Sequence, residues 1–509
     1  MNEPLKSTIV LGIDGATWNQ IDPLMAKGRL PNLEYLIRNG ASGTLRSIDP
    51  PYTPIVWASI STGKRPESNG ISDAKPIQTR YGLKTLALWD IVEDHAKSIG
   101  LFNWYLTWPP RSANGFIVPE PALSEETFPP ELSFITKMRR IGLEKKTSSG
   151  KPLFVENVRL LRTGMEYGLR AMTLLKIAIY LVKSEIISNE QILEIERCLL
   201  GQSVFTDLFC ELHRRFRPYL SLFYLNAVDV AAHAGWRYYE PRGFEVKSHE
   251  SSNPHQYVPS SYVDTDNCIG RILNLADSET TIIVLSDHGT RSAADGDPPF
   301  DVDADYLFQQ LGIDGRVDYV RCDNRVYFSL KDPGDESVID RIKTVCLTDT
   351  GEKLFEMIES DVHGVYWLRY RNAGKGTIDA EHQRIRVGNV DAKLSHVVKR
   401  RYRMSGIHDK HGIFIACGRG IKRGHWIGEV ETTDIVPTIL YHLQMPIAAD
   451  MEGEVVSRVF DESFVADNDP IYIETYDTNE RLGKYLVGET RKLEGLDNIK
   501  RRLRVLGYL

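Results

Sequence analysis

The chain has 509 residues and a mass of 57.8 kDa, which is more than one hydrophobic core usually supports, so a large domain with insertions or two domains are expected. Hydrophobic residues make up 42% of the chain and charged residues 26%, which is ordinary for a soluble globular protein. The net charge of −7 comes from intermixed charges. This argues against a dedicated nucleic-acid surface, which would show a basic stripe.

We expect neither a secretory signal nor a membrane-spanning segment from the sequence. Its start, MNEPLKSTIVLGIDGA, lacks a basic segment followed by an apolar stretch and a small-residue cleavage site. The most apolar stretch, Tyr167–Ile187, is interrupted by Arg170, Lys176 and Lys183, which disfavours a transmembrane segment. An amphipathic helix packed on the body is the favoured interpretation, and a surface-binding helix is the alternative. Six cysteines without CxxC spacing predict reduced thiols and a cytoplasmic protein.

The first 120 residues alternate strand-like and helix-like segments. Ser7–Ile13 has the pattern of a buried strand, and a helix is predicted near Asn32–Asn39. Leu88–Ala96 is helix-like and is followed by the strand-like Ser98–Asn103. This βαβ rhythm predicts an α/β fold whose central sheet is mostly parallel and is flanked by helices on both faces.

Two segments interrupt that rhythm and are predicted to be insertions. A helical insertion is expected at 125–205, because the strand signal is lost from Glu131 through Leu200. A small α+β insertion is expected at 303–401, where the strand-like Arg325–Leu330 and Val365–Tyr370 flank helix-like segments. The predicted helices of that insertion are Glu336–Val345 and Glu352–Ile358. The catalytic core would then comprise residues 1–124, 206–302 and 402–509, and its last part includes the helix-like Asp434–Leu443.

Four apolar runs adjoin side chains that metal ions favour. Ser7–Ile13 leads into Asp14, Tyr219–Val228 into Asp229 with His233 four residues on, and Thr280–Ser286 into Asp287 and His288; His408 comes just before Ile413–Cys417. Buried parallel strands read as continuous apolar runs, and open α/β sheets place ligands beyond the carboxyl ends of their strands. Three Asp and three His gathered there predict a site for two metal ions.

Asp14 and the pair Asp229 and His233 have simpler explanations when they are taken alone. Asp287 and His288 are a stronger signal, because adjacent Asp and His directly after an apolar strand have little structural reason to occur. The simpler explanation of Asp14 is a turn, because Asp followed by Gly is a common turn sequence. In the functional interpretation, Gly12 and Gly15 let the backbone approach a ligand. Asp229 and His233 share one face of a helix by their spacing. His411 competes with His408 for the same role, and spacing alone does not decide between them.

Thr53 is the candidate nucleophile. It follows two prolines and precedes the apolar, helix-like Ile55–Ile60, so it is expected at a helix N-terminus, where the helix dipole favours an anion. The alternative is an ordinary N-cap threonine, and both roles are compatible. A hydroxyl needs a base or a metal to become a good nucleophile.

The combination of motifs resembles the alkaline phosphatase superfamily, and within it the type I phosphodiesterase/nucleotide pyrophosphatase branch. The matching pieces are IDGA, a Thr nine residues before TGKRPESNGI, DVAAHAGW, SDHG, GIHDKHGIFIACG and DIVPTILYHL. They occur in the family's order and span residues 8 to about 455. The resemblance implies an alkaline phosphatase-like fold.

The resemblance also implies a site and a reaction. Asp229, His233 and His408 match one metal site, and the family's GxH motif favours His408 over His411. Asp14, Asp287 and His288 match the second site, where Thr53 also binds. The implied activity is hydrolysis of a small-molecule phosphate ester, either a nucleotide-type phosphodiester or a monoester, through a phosphothreonine. The two divalent ions would most simply be Zn²⁺, with Mn²⁺ as the runner-up.

The chain departs from the branch beside the nucleophile. The branch often has Asn three residues after it and a further Asn just beyond the PESHGI-type segment; this chain has Val56 and then Ser72, Asp73 and Ala74. The phosphoryl-oxygen donor is therefore expected elsewhere, from the Ile55 N–H or from an insertion.

These departures argue against specificity for nucleotide diesters. Two other functions are alternatives to hydrolysis: a phosphotransferase or mutase of the same superfamily, and a non-catalytic binding protein on this fold. The sulfatase signature is absent, which disfavours sulfate esters. Four tryptophans would stack on a base or sugar or, more simply, pack in the core: Trp57, Trp104, Trp108 and Trp236.

Overall fold

An eight-stranded sheet forms the centre of the computed structural model. From one edge to the other its strands are His425–Glu431, Ala41–Arg46, His411–Cys417, Thr280–Leu285, Ser7–Ile13, Leu220–Leu225, Ile99–Phe102 and Gly115–Val118. The structure describes residues 7–72, 79–120, 126–139, 154–187, 189–242, 244, 254–295, 300–322, 325–359, 364–371, 380–400, 404–486, 496 and 500.

Seven of the eight strands run in the same direction, and His411–Cys417 alone is antiparallel to its neighbours. Ser7–Ile13 lies near the middle, with Val10 opposite Leu222 on one side and Ile283 on the other. The predicted α/β class with a mostly parallel sheet is confirmed.

The central strands are apolar throughout because both faces of the sheet are covered. In the strand Ser7–Ile13, Val10 belongs to one hydrophobic cluster, while Ile9 and Leu11 belong to another. Successive side chains of a strand point to opposite faces, so the two clusters lie on the two sides of the sheet.

Helices cover both faces. The cluster around Val10 includes residues of the helices Thr53–Thr62, Leu88–Asp94, Ile435–His442 and Asn479–Leu486. The cluster around Ile9 includes residues of the helices Trp18–Ala26, Pro31–Asn39, Glu190–Phe216, Ala227–Tyr239 and Tyr257–Leu273. The core region also contains two short helices, Pro66–Asn69 and Glu462–Asp467, and a parallel pair of two-residue strands, Ile447–Ala448 and Tyr472–Ile473.

The first predicted insertion is helical where the structure describes it. Its helices are Ser133–Met138, Phe154–Glu166, Ala171–Ile186 and Glu190–Phe216. The predicted boundary at 205 falls inside the last of these helices, whose Phe209 stacks on Phe223 of the sheet at 4.6 Å. Residues 140–153 lie outside the described part. Among the described helices, none is both long and apolar enough to cross a membrane.

The second insertion has a hydrophobic cluster of its own, with members from Val302 to Val398. Its antiparallel four-stranded sheet has the order Phe355–Glu359, Val365–Tyr370, Arg325–Leu330 and Val317–Cys322. A three-stranded sheet and three helices complete it: Cys346–Leu347, Arg384–Val387 and Val390–Lys393, with Ala304–Gln310, Ser337–Lys343 and Leu394–Val397. The three-part division of the chain stays a prediction.

The helix predicted at Glu352–Ile358 is wrong. The structure has the strand Phe355–Glu359 there, paired antiparallel with Val365–Tyr370. The spacing of Leu354, Phe355 and Ile358 suits one helix face, but pairing with a neighbouring strand outweighs this local preference.

Two short ribbons join this insertion to the core. Phe300–Val302 pairs with Val398–Arg400, and Gly289–Ser292 pairs with Gly406–Asp409. The chain therefore enters and leaves the insertion along adjacent strands, and the second ribbon begins directly after His288.

Candidate metal centre

The carboxyl ends of two adjacent central strands carry three of the predicted ligands. Asp14 follows Ser7–Ile13, and Asp287 and His288 follow Thr280–Leu285. Asp14, Asp287 and His288 are fully or almost fully buried. This is the edge at which open α/β sheets bind ligands.

The other three predicted ligands lie on the helix after the neighbouring strand Leu220–Leu225 and on one strand of a ribbon. The helix Ala227–Tyr239 begins just after Leu220–Leu225 and carries Asp229 and His233 on one face, as their spacing predicts. His408 lies in the ribbon strand Gly406–Asp409, opposite Thr290.

The first group consists of Asp229, His233 and His408, whose ligand atoms lie within 4.8 Å of one another. Asp229 Oδ1 is 3.2 Å from His233 Nε2 and 3.7 Å from His408 Nε2. The two Nε2 atoms are 3.1 Å apart.

The second group consists of Asp14, Asp287 and His288, under the same limit of 4.8 Å. His288 Nε2 lies 3.3 Å from Asp14 Oδ1 and 3.3 Å from Asp287 Oδ2. Thr53 Oγ1 is 3.1 Å from the same Nε2 atom. The His288 and His408 rings stack with their centroids 3.6 Å apart, so the two groups adjoin.

All three histidines are oriented by backbone carbonyls. The Nδ1 atoms of His233, His408 and His288 donate to Gly406 O at 2.7 Å, Pro51 O at 2.7 Å and Gly289 O at 3.0 Å, respectively. A neutral ring that donates from Nδ1 presents a lone pair at Nε2. Metal-binding histidines are commonly held in this way.

The donor set fits metal ions. With their Nδ1 atoms as donors, the neutral rings of His233 and His408 aim two lone pairs at each other. Among the described residues, three buried carboxylate oxygens of the centre make no hydrogen bond: Asp14 Oδ1, Asp229 Oδ1 and Asp287 Oδ2. Buried charges and lone pairs in this arrangement need a cation between them. The structure brings all six side chains together, and their role as ligands stays a prediction.

The pKa shifts of the buried carboxyl and imidazole groups agree with the requirement for a cation in the centre. Burial, with the nearby charges of Asp287 and Asp229, raises the pKa of Asp14 well above its ordinary value. Burial also raises the pKa of Asp287 to about 6. Burial and the neighbouring His288 lower the pKa of His408 well below its ordinary value, which keeps the ring neutral and able to bind a metal.

Asp229 behaves differently from the other two carboxylates. Burial raises its pKa, but the imidazoles of His233 and His408 outweigh burial and hold the pKa below its ordinary value. Asp229 is therefore the carboxylate that stays ionised most readily.

The two glycines beside Asp14 have different roles. Gly15 has a φ of +71°, and a Cβ there would lie 3.0 Å from Asp229 Oδ1, so it lets the turn approach the centre. A Cβ on Gly12 would lie 2.4 Å from the Trp57 ring. Gly12 thus makes room for a core tryptophan, and the expectation that it approaches a ligand is wrong.

Thr53 begins the helix Thr53–Thr62, as predicted, and is almost completely buried. The N–H groups of Ile55 and Val56 both donate to Tyr52 O at 3.0 Å. The Ile55 N–H is therefore already used within the helix turn, and the suggestion that it serves as the phosphoryl-oxygen donor is wrong. Asp73 and Ala74 lie outside the described residues.

Tyr224 is a site residue that the sequence did not reveal. Its hydroxyl donates to Asp14 Oδ2, and its ring packs edge-on against Trp57 and Tyr105. Tyr224 stands in the apolar run YLSLFYL, where one hydroxyl gives no separate signal. The four tryptophans named above are each at most 4% exposed, which confirms core packing as their explanation.

His411 lies apart from both groups. It is exposed, and its Nδ1 atom is 3.0 Å from Asp409 Oδ1. The structure therefore places His408 in the cluster and His411 on the surface.

A cavity of about 80 Å³ opens at the same edge of the sheet. It lies beyond the ends of the strands Ile99–Phe102 and Leu220–Leu225, and the helical insertion contributes much of its wall. Its lining is mostly apolar and includes Asn103, Arg139, Ile177, Gly201, Phe205 and Asn226.

Comparison with known proteins decides the family. The family model of type I phosphodiesterase / nucleotide pyrophosphatase matches residues 8–83 and 166–396, which is more than half of the chain. The chain belongs to this family. Membership supports a phosphodiesterase or pyrophosphatase activity, that is, hydrolysis of phosphate esters, and a dependence on metal ions.

Other comparisons are more distant. No curated protein matches the chain. Among solved structures, human ectonucleotide pyrophosphatase/phosphodiesterase 5 is 12% identical over 90% of this chain and 100% of its own, with a TM-score of 0.44. An inactive murine form of that protein in complex with AMP is 12% identical over 90% and 100%, with a TM-score of 0.43.

Proposed function

We propose that the chain is a two-metal phosphoric ester hydrolase that transfers a phosphoryl group first to Thr53 and then to water. The observation that carries the proposal is the position of Thr53 Oγ1, 3.1 Å from His288 Nε2 and beside two adjoining groups of three ligands. Family membership supports the general activity.

The two groups would each hold one divalent cation. Asp229, His233 and His408 form one site, and Asp14, Asp287 and His288 form the other with Thr53 beside them. Imidazole nitrogens and carboxylate oxygens in sets of three suit zinc, with manganese as the second choice. When bound, the cations would lower the pKa of the Thr53 hydroxyl and neutralise charge on the phosphoryl oxygens.

The proposed reaction has two steps at phosphorus. The Thr53 hydroxyl gives up its proton as Oγ forms a bond to phosphorus, and the ester oxygen leaves with the electron pair of the broken P–O bond and takes up a proton. Water then attacks the phosphothreonine, which releases the phosphorylated product and restores the hydroxyl. The N-terminus of the helix Thr53–Thr62 favours the anionic group at this position.

The test is a panel of nitrophenyl phosphate mono- and diesters, with metal analysis of the same preparation. We expect about two metal ions per chain, loss of turnover on chelation, and recovery with Zn²⁺ or Mn²⁺. In ¹⁸O-labelled water the label should enter the released phosphate product.

Two results would contradict the proposal. Transfer of the phosphoryl group to another hydroxyl without label would favour the phosphotransferase or mutase. A fully metal-loaded protein that turns over none of the esters would favour a binding protein on this fold.

A further inference from the structure

Two buried hydroxyl groups flank the pair Asp287 and His288 in the chain. Ser286 comes directly before the pair and Thr290 two residues after it, and both side chains are at most 1% exposed. Neither is among the six candidate metal ligands. Buried polar groups in folded proteins are hydrogen-bonded, so the partners of these two hydroxyls indicate what the hydroxyls do.

Both hydroxyls bind the same peptide group, the one that joins Gly15 to Ala16. The Ala16 N–H donates to Ser286 Oγ at 2.9 Å, and Thr290 Oγ1 donates to Gly15 O at 3.1 Å. The N–H and the C=O of a planar trans peptide point in opposite directions, so the two side chains hold this group from opposite sides. We call Ser286, Thr290 and this peptide group the peptide clamp.

The turn after Asp14 needs support from outside. Gly15 has a φ of +71°, and a Cβ on it would lie 3.0 Å from Asp229 Oδ1, so a side chain there would crowd the centre. Glycine, however, restricts its own backbone angles less than any other residue does. The residue that lets the turn approach the centre therefore leaves the turn free to move unless other groups hold it. The peptide clamp supplies those groups.

Ser286 also joins this turn to the neighbouring strand end. Its hydroxyl donates to His288 O at 2.6 Å and accepts from the Ala16 N–H. A hydroxyl has one proton and two lone pairs, so both bonds form at once. One side chain thus connects the turn that follows Asp14 with the backbone of the segment that carries Asp287 and His288.

We propose that Ser286 is a positioning residue for the metal ion of the group Asp14, Asp287 and His288, with Thr290 as its partner in the peptide clamp. The clamp fixes the turn that begins at Asp14 and so holds Asp14 Oδ1 3.3 Å from His288 Nε2. Ser286 acts through the backbone and is not itself a ligand. This inference rests on the proposed function, because it requires a metal ion in that group.

The first test uses the metal-free, full-length chain. Ser286→Ala removes the acceptor of the Ala16 N–H, so this amide should exchange with deuterium about fivefold faster or more, as measured by mass spectrometry. The matched control is Ser7→Ala. Ser7 Oγ lies 3.2 Å from Thr280 Oγ1 and joins the same two strands at their opposite ends. This control should leave exchange at Ala16 unchanged.

The second test measures the affinity for one ion. His408→Ala should leave about one ion, in the group that contains Asp14. Addition of Ser286→Ala to that variant should lower the affinity for the remaining ion about 10- to 100-fold, the usual effect of losing a group that holds a metal ligand in place. Addition of Ser7→Ala should not. Competition with a chromogenic chelator measures the affinities.

Two further variants keep the test valid if Ser286→Ala does not fold. Ser286→Cys has a similar size and is a weak donor and acceptor, so it should give an intermediate affinity. Thr290→Val keeps the shape of the side chain but removes the other hydroxyl of the clamp, and it should also lower the affinity. Circular dichroism and the melting temperature identify the variants that are folded.

Three outcomes would overturn the inference. The first is equal exchange of the Ala16 amide in Ser286→Ala and the parent. The second is faster exchange with an unchanged affinity for the remaining ion, which would give the clamp a purely structural role. The third is a chain that binds no ion, which would also remove the two-metal site. Failure of the proposed function alone looks different: ions would bind and depend on Ser286, but no ester would be hydrolysed.

Discussion

Thr53 Oγ1 and His288 Nε2 lie 3.1 Å apart, although 235 residues separate them in the chain. The contact brings the first residue of a helix to the end of a central strand. It places the hydroxyl at the edge of the group formed by Asp14, Asp287 and His288.

Removal of that hydroxyl should separate metal binding from turnover. Thr53→Ala leaves both groups of three ligands in place, so most of the metal should remain. Turnover should fall by roughly three orders of magnitude or more, because the proposed nucleophile is gone. Metal analysis and steady-state kinetics on one preparation measure both quantities. Thr53→Ser keeps a hydroxyl and should retain part of the activity; equal activity of Thr53→Ala and the parent would exclude Thr53 from the mechanism.

The two neighbouring histidines should differ in their effect on metal content. His408→Ala removes one of the three proposed ligands in the group with Asp229 and His233, so the chain should keep only about one of two ions. His411→Ala changes an exposed ring outside the groups and should leave metal content unchanged. Metal analysis after dialysis compares them. Loss of metal in the His411 variant alone would reverse the assignment.

Tyr224 should act on the centre through Asp14. Tyr224→Phe keeps the ring that packs on Trp57 but removes the hydroxyl that donates to Asp14 Oδ2. The affinity for one of the two ions should fall about 10- to 100-fold, the usual cost of losing a partner of a metal ligand. Competition with a chromogenic chelator measures this. Tyr441→Phe is the control, because that hydroxyl donates to Asn468 O instead; equal metal affinities for the two variants would contradict the role.

Gly201 offers a way to test the cavity near the centre. It lines the cavity from within the helix Glu190–Phe216, and a Cβ there would make an ordinary contact with Phe205 at 3.5 Å. Gly201→Leu should therefore fill the cavity without loss of helix stability. If the cavity receives a substituent of the substrate, KM should rise for bulky diesters and stay constant for nitrophenyl phosphate. An equal change for both esters would mean that the cavity takes no part in binding.

His213 should make folding stability depend on pH. Its ring is buried against Ser221 Oγ at 3.0 Å, and burial, together with the charge of Arg214, lowers its pKa to about 4. In the unfolded chain the pKa is about 6.5, so below that pH the unfolded state binds a proton that the folded state does not. Stability is complete above about pH 6.5 and falls as the pH drops towards 4, by up to about 3 kcal/mol.

His213→Gln isolates this effect from other groups that titrate in the same range. Urea unfolding at pH 7, 6 and 5 should show the difference between parent and variant shrinking as the pH falls. A difference that stays constant across this range would show that the His213 proton plays no part.

The centre could be predicted because its residues follow a simple rule of position. Asp14 and Asp287 come directly after strands that are apolar on both faces, and such strands are visible in the sequence as short uninterrupted runs. Asp229 and His233 were predictable from their spacing. The choice of His408 over His411 needed the family motif, because both flank the same strand.

The predictions that were wrong or absent concern residues whose structure depends on contacts that the local sequence pattern does not show. Phe355–Glu359 is a strand because Val365–Tyr370 lies beside it, and the register that pairs Glu356 with Arg369 is not visible in the local pattern. Tyr224 stands in a strand that is apolar throughout, so its bond to Asp14 has no local signature. The Ile55 N–H was unsuitable as a donor because Tyr52 had already closed the first helix turn.

The adjacent entry and exit strands of the α+β insertion have a consequence for how this enzyme can diversify. His288 stands just before the outgoing strand, and His408 lies in the returning one. The insertion lies between the two strands of the ribbon formed by Gly289–Ser292 and Gly406–Asp409. A change in its length or sequence therefore leaves the pairing of these strands, and with it the spacing of the two imidazoles, in place. The insertion can thus vary while the candidate metal centre keeps its arrangement.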